Sequence, residues 1–372
     1  MRRAGVFLAL AFLVFCGGPR TLEAQLGIGG SLTGRTALEL YRGDFSAVTH
    51  PIVDSAESVI AVASEWEFLL GRAFAHSTRR FEVTVDGTLQ QFATAGFLQR
   101  NYAPRTQSFS LQTLYTERLE AGTLTLDAQV GTRGISDLTP MPMYLPPGYL
   151  AYSLDAGFAR RVSENTGLDA HVRFQERDYA GPSVLQTLDY LDLRSFEVHA
   201  GGDRVSYGTP GTDDYSTLRV FAAYLHQRYP LQGHRRDHKV QLGSRWYLDR
   251  WETWGLRVTL DASGILNRSN SSRVEYNAAR IAATARQRLG ERYLLLLTGI
   301  WSGKSYLGPQ EFLVPGEEAD NAAIFEGELS RVLGAGISVS AGGSWTRAET
   351  NISGDYYQRV RFYVGLDKIL GF

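Results

Sequence analysis

The sequence has one cysteine, Cys16, and three methionines among its 372 residues. Because Cys16 lies within the first 24 residues, the rest of the chain has no thiol for a disulfide or a thiolate metal site. After residue 24, no run approaches the roughly 18 apolar residues of a membrane-spanning helix. The 38 basic and 39 acidic residues nearly cancel and form no long block of one sign. This balance argues against a nucleic-acid partner, which would require a strongly basic face.

The N-terminal segment MRRAGVFLALAFLVF combines two arginines with a short apolar run. The run is too short to span a bilayer as a helix, and Leu22-Glu23-Ala24 is an acceptable cleavage site. We therefore predict a signal peptide over residues 1–24 and a single second unit over 25–372. Phe15 stands where a lipoprotein would need a small residue before its cysteine, so a lipid anchor is not expected.

Glycine and aromatic residues are abundant, with 39 glycines, 19 tyrosines, 18 phenylalanines and six tryptophans. Many segments alternate apolar and polar residues with a period of two. In VIAVASEWEFLL, Ile60 and Trp66 fall on one side and Glu65 and Glu67 on the other. A helix would scatter these charges around its circumference, whereas a strand places them on one face. The sequence therefore predicts an all-β protein.

Short and long connections alternate along the chain. Tight turn signals occur at 75–79, 119–122, 163–167, 248–252, 289–292 and 333–336, and a looser one fills 203–214. Longer polar or proline-bearing stretches separate them, as in SDLTPMPMYLPPGY. Seven short turns imply eight hairpins, which predicts about 16 strands, with 14 as the alternative if one hairpin is miscounted.

Two architectures fit long alternating strands: a soluble sandwich and a closed barrel. A sandwich would bury its apolar faces in a shared core. Short turns at one end and long loops at the other are instead typical of a transmembrane barrel with periplasmic turns and external loops. We therefore predict a closed antiparallel up-and-down transmembrane β-barrel, whose last strand pairs with a first strand near SLTGRTALELY.

The C-terminal segment VRFYVGLDKILGF supports this prediction. It resembles the last strand of bacterial outer-membrane β-barrel proteins, which end on an aromatic residue after alternating apolar positions. The corresponding residues of this chain are Phe362, Val364, Leu366, Leu370 and Phe372. The resemblance implies location in the bacterial outer membrane, with outer-membrane lipid and the barrel-assembly machinery as partners. Lys368 departs from the apolar pattern, and a place near the interface would make it tolerable.

Motifs for catalysis or metal binding are weak throughout. The sequence has no His-Glu-x-x-His or Gly-x-Ser-x-Gly motif, and GIGGSL lacks the last glycine of a dinucleotide loop. His234 and His238 flank two arginines in a predicted external loop, and Asp213-Asp214 falls in a predicted periplasmic turn. We therefore predict no enzyme activity, no cofactor and no metal. Aromatics near strand ends predict lipid-interface girdles, among them Tyr102, Tyr149, Tyr179, Tyr229, Trp251, Tyr293, Trp301 and Tyr356.

The polar side of the alternation predicts a charged lumen. The residues expected to line it are Arg80, Glu82, Asp169, Arg173, Arg245, Arg257, Asp261, Glu326, Glu328, Arg359 and Arg361. A ring of 16 strands is too wide for side chains alone to fill. We predict a passive, porin-like channel for small hydrophilic solutes, which could form a homo-oligomer. The alternatives are an exopolysaccharide export barrel with separate periplasmic partners, and a closed structural or surface-interaction barrel.

Overall fold

The computed structural model describes residues 27–43, 59–95, 105–136, 148–180, 192–208, 214–233, 235–308, 321–349 and 356–371. The predicted signal peptide and Phe372 lie outside these residues.

The described chain forms sixteen strands, as predicted. They are β1 (Gly27–Gly43), β2 (Val59–His76), β3 (Arg79–Ala95), β4 (Arg105–Leu119), β5 (Gly122–Ser136), β6 (Gly148–Ser163), β7 (Thr166–Ala180), β8 (Leu193–Tyr207), β9 (Tyr215–Arg228), β10 (Arg236–Arg250), β11 (Leu256–Ser269), β12 (Tyr276–Leu289), β13 (Tyr293–Tyr306), β14 (Asn321–Gly334), β15 (Ile337–Glu349) and β16 (Tyr356–Gly371). The helix α1 (Trp251–Trp254) and a 3-10 turn at Ser272–Val274 complete the described elements. Within the described ranges, no helix is long and apolar enough to cross a membrane.

Each strand pairs with its sequence neighbours in an antiparallel ladder, and β16 pairs with β1 to close the sheet. The closing register runs from Gly29 opposite Gly371 to Gly43 opposite Tyr357. The structure thus confirms the predicted pairing of first and last strands. Closure pairs the backbone groups of both edge strands, which a sheet in hydrocarbon requires.

The shortest connections gather at one end of the barrel. Among them, only Ser77 and Thr78 join β2 to β3, and α1 joins β10 to β11. The beginning of β1 and the end of β16 lie at this end too. Short turns mark the periplasmic end of an outer-membrane barrel, so the opposite end is external. We call the two ends the periplasmic and external ends.

The outer surface is apolar around the described barrel. Trp66, Leu242 and Val364 lie on different strands and are 53%, 61% and 62% exposed. A soluble sandwich would bury such side chains between two sheets, and so extensive an exposed apolar surface marks contact with another phase. The barrel therefore presents its apolar face to lipid, as the sequence predicted.

The predicted aromatic girdle is only partly correct. Tyr293 and Trp301 are exposed on the outer face. Tyr149, Tyr179 and Tyr229 instead pack together at the external end, where the first two share the inner-facing parity of their strands. Proximity to a strand end does not fix the face, because neighbouring residues point to opposite sides. Tyr102 and the side chain of Tyr356 lie outside what the structure describes, and Trp251 belongs to α1.

Candidate functional site

The inner wall of the barrel is the candidate site. Directly paired residues point to the same face of a sheet, so parity can be followed from strand to strand. Leu38, Val62 and Phe362 are mutually paired on the outer face, whereas the adjacent pair Glu39 and Arg361 points inward. By the same registers, all eleven predicted lumen residues have inward parity. They are Arg80, Glu82, Asp169, Arg173, Arg245, Arg257, Asp261, Glu326, Glu328, Arg359 and Arg361.

An ion-pair cluster lies inside the closing pair of strands. Arg361 on β16 places its Nε 3.3 Å from Glu39 Oε1 on β1, and its Nη2 also contacts Glu65 on β2. Glu39 has no exposed surface. The guanidinium of Arg361 further lies over the ring of Tyr363, 5.2 Å from its centroid. We name these residues, together with Arg35, Glu67, Glu326 and Glu328, the seam cluster.

The rest of the seam cluster reaches across intervening strands. The hydroxyl of Tyr363 on β16 lies 2.8 Å from Glu328 and 3.1 Å from Glu326, both on β14. These contacts pass over β15 at Gly342, where an added Cβ would lie 2.5 Å from the Tyr363 ring. Arg35 Nη2 on β1 lies 3.8 Å from Glu328. Contacts that skip one or two strands are possible only on the concave side of the sheet, so these groups lie on the inner face.

A second inward cluster lies on β7 to β9. Arg219 on β9 donates to Asp169 on β7 at 2.7 Å, and this contact passes over Gly201 on β8. The rings of His171 and His199 are 4.4 Å apart. The ring of Phe221 stacks on His199 at 5.4 Å. The β7 wall therefore carries paired charge with a half-buried aromatic group beside it.

Other predicted lumen residues form short pairs along the wall. Arg173 lies 3.0 Å from Asp155, and Arg245 lies 2.5 Å from Asp261. Further pairs join Arg257 with Asp249 and Arg80 with Glu82. Several of these arginines keep about half of their side chain exposed, so these pairs sit in contact with solvent space and contribute little to stability.

Several inward cations were missed by the sequence analysis, and two of them lie on β12. Arg280 and Arg286 share the inward parity of β12, and both are exposed. In the described part of the chain, neither forms an ion pair or a hydrogen bond. Their only sequence signal was alternation within YNAARIAATARQRL, where alanines on both faces conceal the contrast between the lipid and lumen sides. The wall of β12 therefore offers positive charge to whatever fills the lumen.

The geometry defines the chemistry that this wall can perform. Within the described ranges, no group of three or more histidine, cysteine or acidic side chains could hold a metal ion. Asp214 is held by Thr253 at 2.6 Å and by Arg250 at 3.3 Å beside α1, while Asp213 lies outside the described residues. The arrangement is that of a wall that attracts or repels ions. The absence of enzyme activity stays a prediction.

The described C-terminal signature residues share the outward face of β16. Phe362, Val364 and Leu366 are exposed on the outer face, and Leu370 has the same parity. Lys368 also points outward, and its Nζ donates to the carbonyl oxygen of Ala335 at 2.6 Å. Its charge is therefore satisfied at the periplasmic rim. This explains how the strand tolerates a cation in an apolar row.

A closed sixteen-stranded antiparallel barrel with an apolar outer surface and a charged inner wall is an outer-membrane β-barrel of porin-like architecture. Its location is the bacterial outer membrane, where such barrels reside.

No protein-family model matches the sequence, and no curated protein matches it. Among solved structures, the chain is similar to OpdO of Pseudomonas aeruginosa, with 11% identity over 93% of this chain and 97% of that chain and a TM-score of 0.45. It is also similar to OccAB1 of Acinetobacter baumannii, with 12% identity, 95% and 99% coverage and a TM-score of 0.44. A bacterial polysaccharide outer membrane secretin has 10% identity, 91% and 98% coverage and a TM-score of 0.42. At these identities and scores the likenesses carry no argument about function.

Proposed function

We propose that the barrel is a passive, non-enzymatic channel for small hydrophilic solutes. The observation that carries the proposal is the state of Arg280 and Arg286, which point into the barrel, remain exposed and have no ion-pair partner in the described chain. An unpaired guanidinium is costly unless water solvates it. Two of them on one wall therefore favour a water-filled lumen over one closed by salt bridges.

The two arginines also predict an effect on permeating ions. A unit charge about 7 Å from an ion in water contributes about 0.6 kcal/mol, which changes the local ion concentration nearly threefold. Screening shortens the reach of this field from about 10 Å at 0.1 M salt to about 3 Å at 1 M. Arg280 and Arg286 should therefore favour anions at low salt and lose this influence at high salt.

The test is conductance in planar bilayers with the full barrel. Wild type should conduct, and R280Q/R286Q should shift the reversal potential toward cation preference in a salt gradient near 0.1 M. The matched control is R160Q/R204Q, which removes the same charge from two exposed arginines on the outer face near the periplasmic end. Absence of conductance from folded wild type would overturn the channel. An equal shift in both variants would overturn the role of the β12 arginines.

The export barrel remains the second candidate, and a continuous aromatic track along the lumen would favour it. Along β9, the inward aromatic groups are separated by polar residues. Tyr215 packs against Tyr247 at 5.5 Å, and Phe221 lies three inward positions further along β9. Thr217 and Arg219 occupy the inward positions between them. Polar residues between the aromatic side chains favour a channel for small solutes over a continuous aromatic path for a long polymer.

The remaining partners are part of the proposal. Outer-membrane lipid would surround the apolar face, and the barrel-assembly machinery would recognise β16 through Phe362, Val364 and Leu366 together with the final aromatic residue. Homo-oligomer formation stays a prediction. The closed-barrel alternative would place the loop over 136–148 in the lumen. Residues 137–147 of this loop lie outside the described residues, whereas Ser136 ends β5 and Gly148 begins β6.

A further inference from the structure

Basic side chains gather on the outer face of β8 to β11 at the external end. The group contains Arg194, Arg228, Arg236, Arg268, His226 and His238, and we name it the external basic rim. All six have the parity of the lipid-facing residues on their strands. The sequence analysis placed Arg236 and His238 in a loop, and this was wrong, because β10 begins at Arg236.

The registers align these residues in two rows. In the upper row, Arg194 pairs with Arg228, which in turn pairs with Arg236 on the next strand. In the lower row, His226 pairs with His238, which pairs with Arg268. Neighbouring strands lie about 4.8 Å apart, so three arginines in a row span roughly 10 Å. Like charges directly opposite each other destabilise a sheet. Such an arrangement calls for a counter-charge.

The described chain supplies that counter-charge only at one edge. Glu176 on β7 pairs with Arg194 at 2.9 Å. Arg268 donates to the carbonyl oxygen of Asn267 at 2.9 Å and to Asn277 Oδ1 at 3.1 Å. In the part of the chain that the structure describes, the guanidinium groups of Arg228 and Arg236 have no carboxylate partner, and both residues are exposed.

The surface just below the rim is apolar. Val198, Tyr224, Val240 and Leu266 form the next outward row toward the midplane, and Phe196 lies beside the lower row. All are exposed. His238 is tied to this surface because its Nδ1 lies 2.6 Å from the hydroxyl of Tyr224. The positive charges of the rim therefore lie directly beside a row of apolar, lipid-facing side chains, on its external side.

We propose that the external basic rim binds the phosphorylated headgroup of a lipid in the outer leaflet. Arginine recognises phosphate oxygens with strong, often bidentate hydrogen bonds, so Arg228 and Arg236 would hold the phosphate. The acyl chains of the same molecule would lie on the row of Val198, Tyr224 and Val240. A free phosphate in solution would use only the rim, whereas a lipid uses the rim and the apolar row together.

The placement of the rim favours the outer leaflet. Two of the strands that carry it, β9 and β10, are joined externally by the short connection 229–235, and β11 continues into the 3-10 turn. The rim therefore stands close to the end of the wall. The exposed outward arginines Arg160 and Arg204 lie near the periplasmic end, where Arg160 sits next to the β6–β7 turn. Outward cations at the two ends would face the headgroups of different leaflets, and among the residues that the structure describes only the external group has three arginines in one row.

The test is native mass spectrometry of the full barrel in detergent, with lipid A as the phosphorylated probe. Wild type should retain one molecule of lipid A. R228Q/R236Q should bind lipid A at least about tenfold more weakly, because each of the two substitutions removes charge-assisted hydrogen bonds to the phosphate. R160Q/R204Q removes the same charge from the same face and should bind as wild type does. Dephosphorylated lipid A should bind wild type no better than it binds R228Q/R236Q.

Two further measurements distinguish a lipid phosphate from free phosphate and show whether the rim arginines are needed for binding. Inorganic phosphate at millimolar concentration should not displace lipid A from wild type, and complete displacement would assign the rim to free phosphate and overturn the lipid proposal. Equal binding of lipid A by wild type and R228Q/R236Q would overturn it as well. Folding of each variant is checked by its conductance, which the rim substitutions should leave unchanged because the rim faces away from the lumen.

Discussion

The seam cluster leads to a direct test of how the barrel is held closed. Arg361 contacts Glu39 at 3.3 Å and also Glu65, so it joins the last strand to the first two. Replacing Arg361 with glutamine keeps polarity but leaves two inward carboxylates without their shared cation. Glu39 has no exposed surface and the Arg361 side chain is 14% exposed, so this is a buried pair. Removing one partner of a buried pair costs about 3–5 kcal/mol, and we expect about 3 kcal/mol here.

The matched control is Arg245→Gln. Arg245 pairs with Asp261 at 2.5 Å, but its side chain is 56% exposed. Exposed pairs contribute about 0–1 kcal/mol, so the control should lose no more than that. The assay is urea unfolding of the barrel in lipid vesicles, followed by tryptophan fluorescence and extrapolated linearly to zero urea. If both variants lose the same free energy of unfolding, burial of the seam cluster does not decide the stability of the closure.

Two further substitutions, each with a matched control, test the lipid-facing side of the sheet and the inner contact across β15 with the same unfolding assay. Leu242→Arg places a cation at mid-strand on the lipid side and should cost about 2–4 kcal/mol, whereas Leu231→Arg in the external connection should change stability by less than about 0.5 kcal/mol. Similar costs for the two would contradict the lipid-facing assignment. Gly342→Ala adds a Cβ at 2.5 Å from the Tyr363 ring and should cost about 1–3 kcal/mol. Gly131→Ala, whose Cβ would meet nothing closer than 3.8 Å, should be tolerated, and an equally tolerated Gly342→Ala would show that the contact across β15 is dispensable.

Most of the architecture could be predicted because the two environments of a membrane barrel, lipid and water, determine which residues occur at alternate positions of each strand. Lipid outside and polar surroundings inside impose a period of two on every strand, and the turns interrupt it at regular intervals. The number of strands, the positions of the short turns and the pairing of the first and last strands could therefore be predicted from the sequence. VIAVASEWEFLL shows this directly, since Trp66 faces lipid and Glu65 enters the seam cluster.

The candidate site was less accessible because its contacts depend on register. Arg361 and Glu65 are 296 residues apart in sequence, and Arg35 meets Glu328 only after closure brings β1 and β14 to the same concave surface. Alternation gives the face of a charge but not its partner. Arg280 and Arg286 were hidden for a different reason, since the alanines around them fit either face.

Strand ends were the other weak point. Charged residues such as Arg236 and His238 suggested a loop, yet the strand continues to Arg236 at the external end. Hydropathy distinguishes residues in the membrane from residues in water. A strand end in the headgroup region shows neither the apolar alternation of a membrane strand nor the polar composition of a loop. The external basic rim therefore lies in the part of the strand where sequence periodicity is least informative.

The last strand alternates lipid-facing and lumen-facing residues, and it also closes the barrel against β1. Its outward residues, Phe362 and Val364 among them, contact lipid, while Arg359 and Arg361 point inward between them. A slip of one residue against β1 would exchange the faces, moving both arginines toward hydrocarbon at about 2–4 kcal/mol each near the midplane. The same slip would also remove Arg361 from Glu39. The cost of charge in lipid and the loss of the seam cluster thus act in the same direction, and together they restrict closure to the register in which the inner wall is charged.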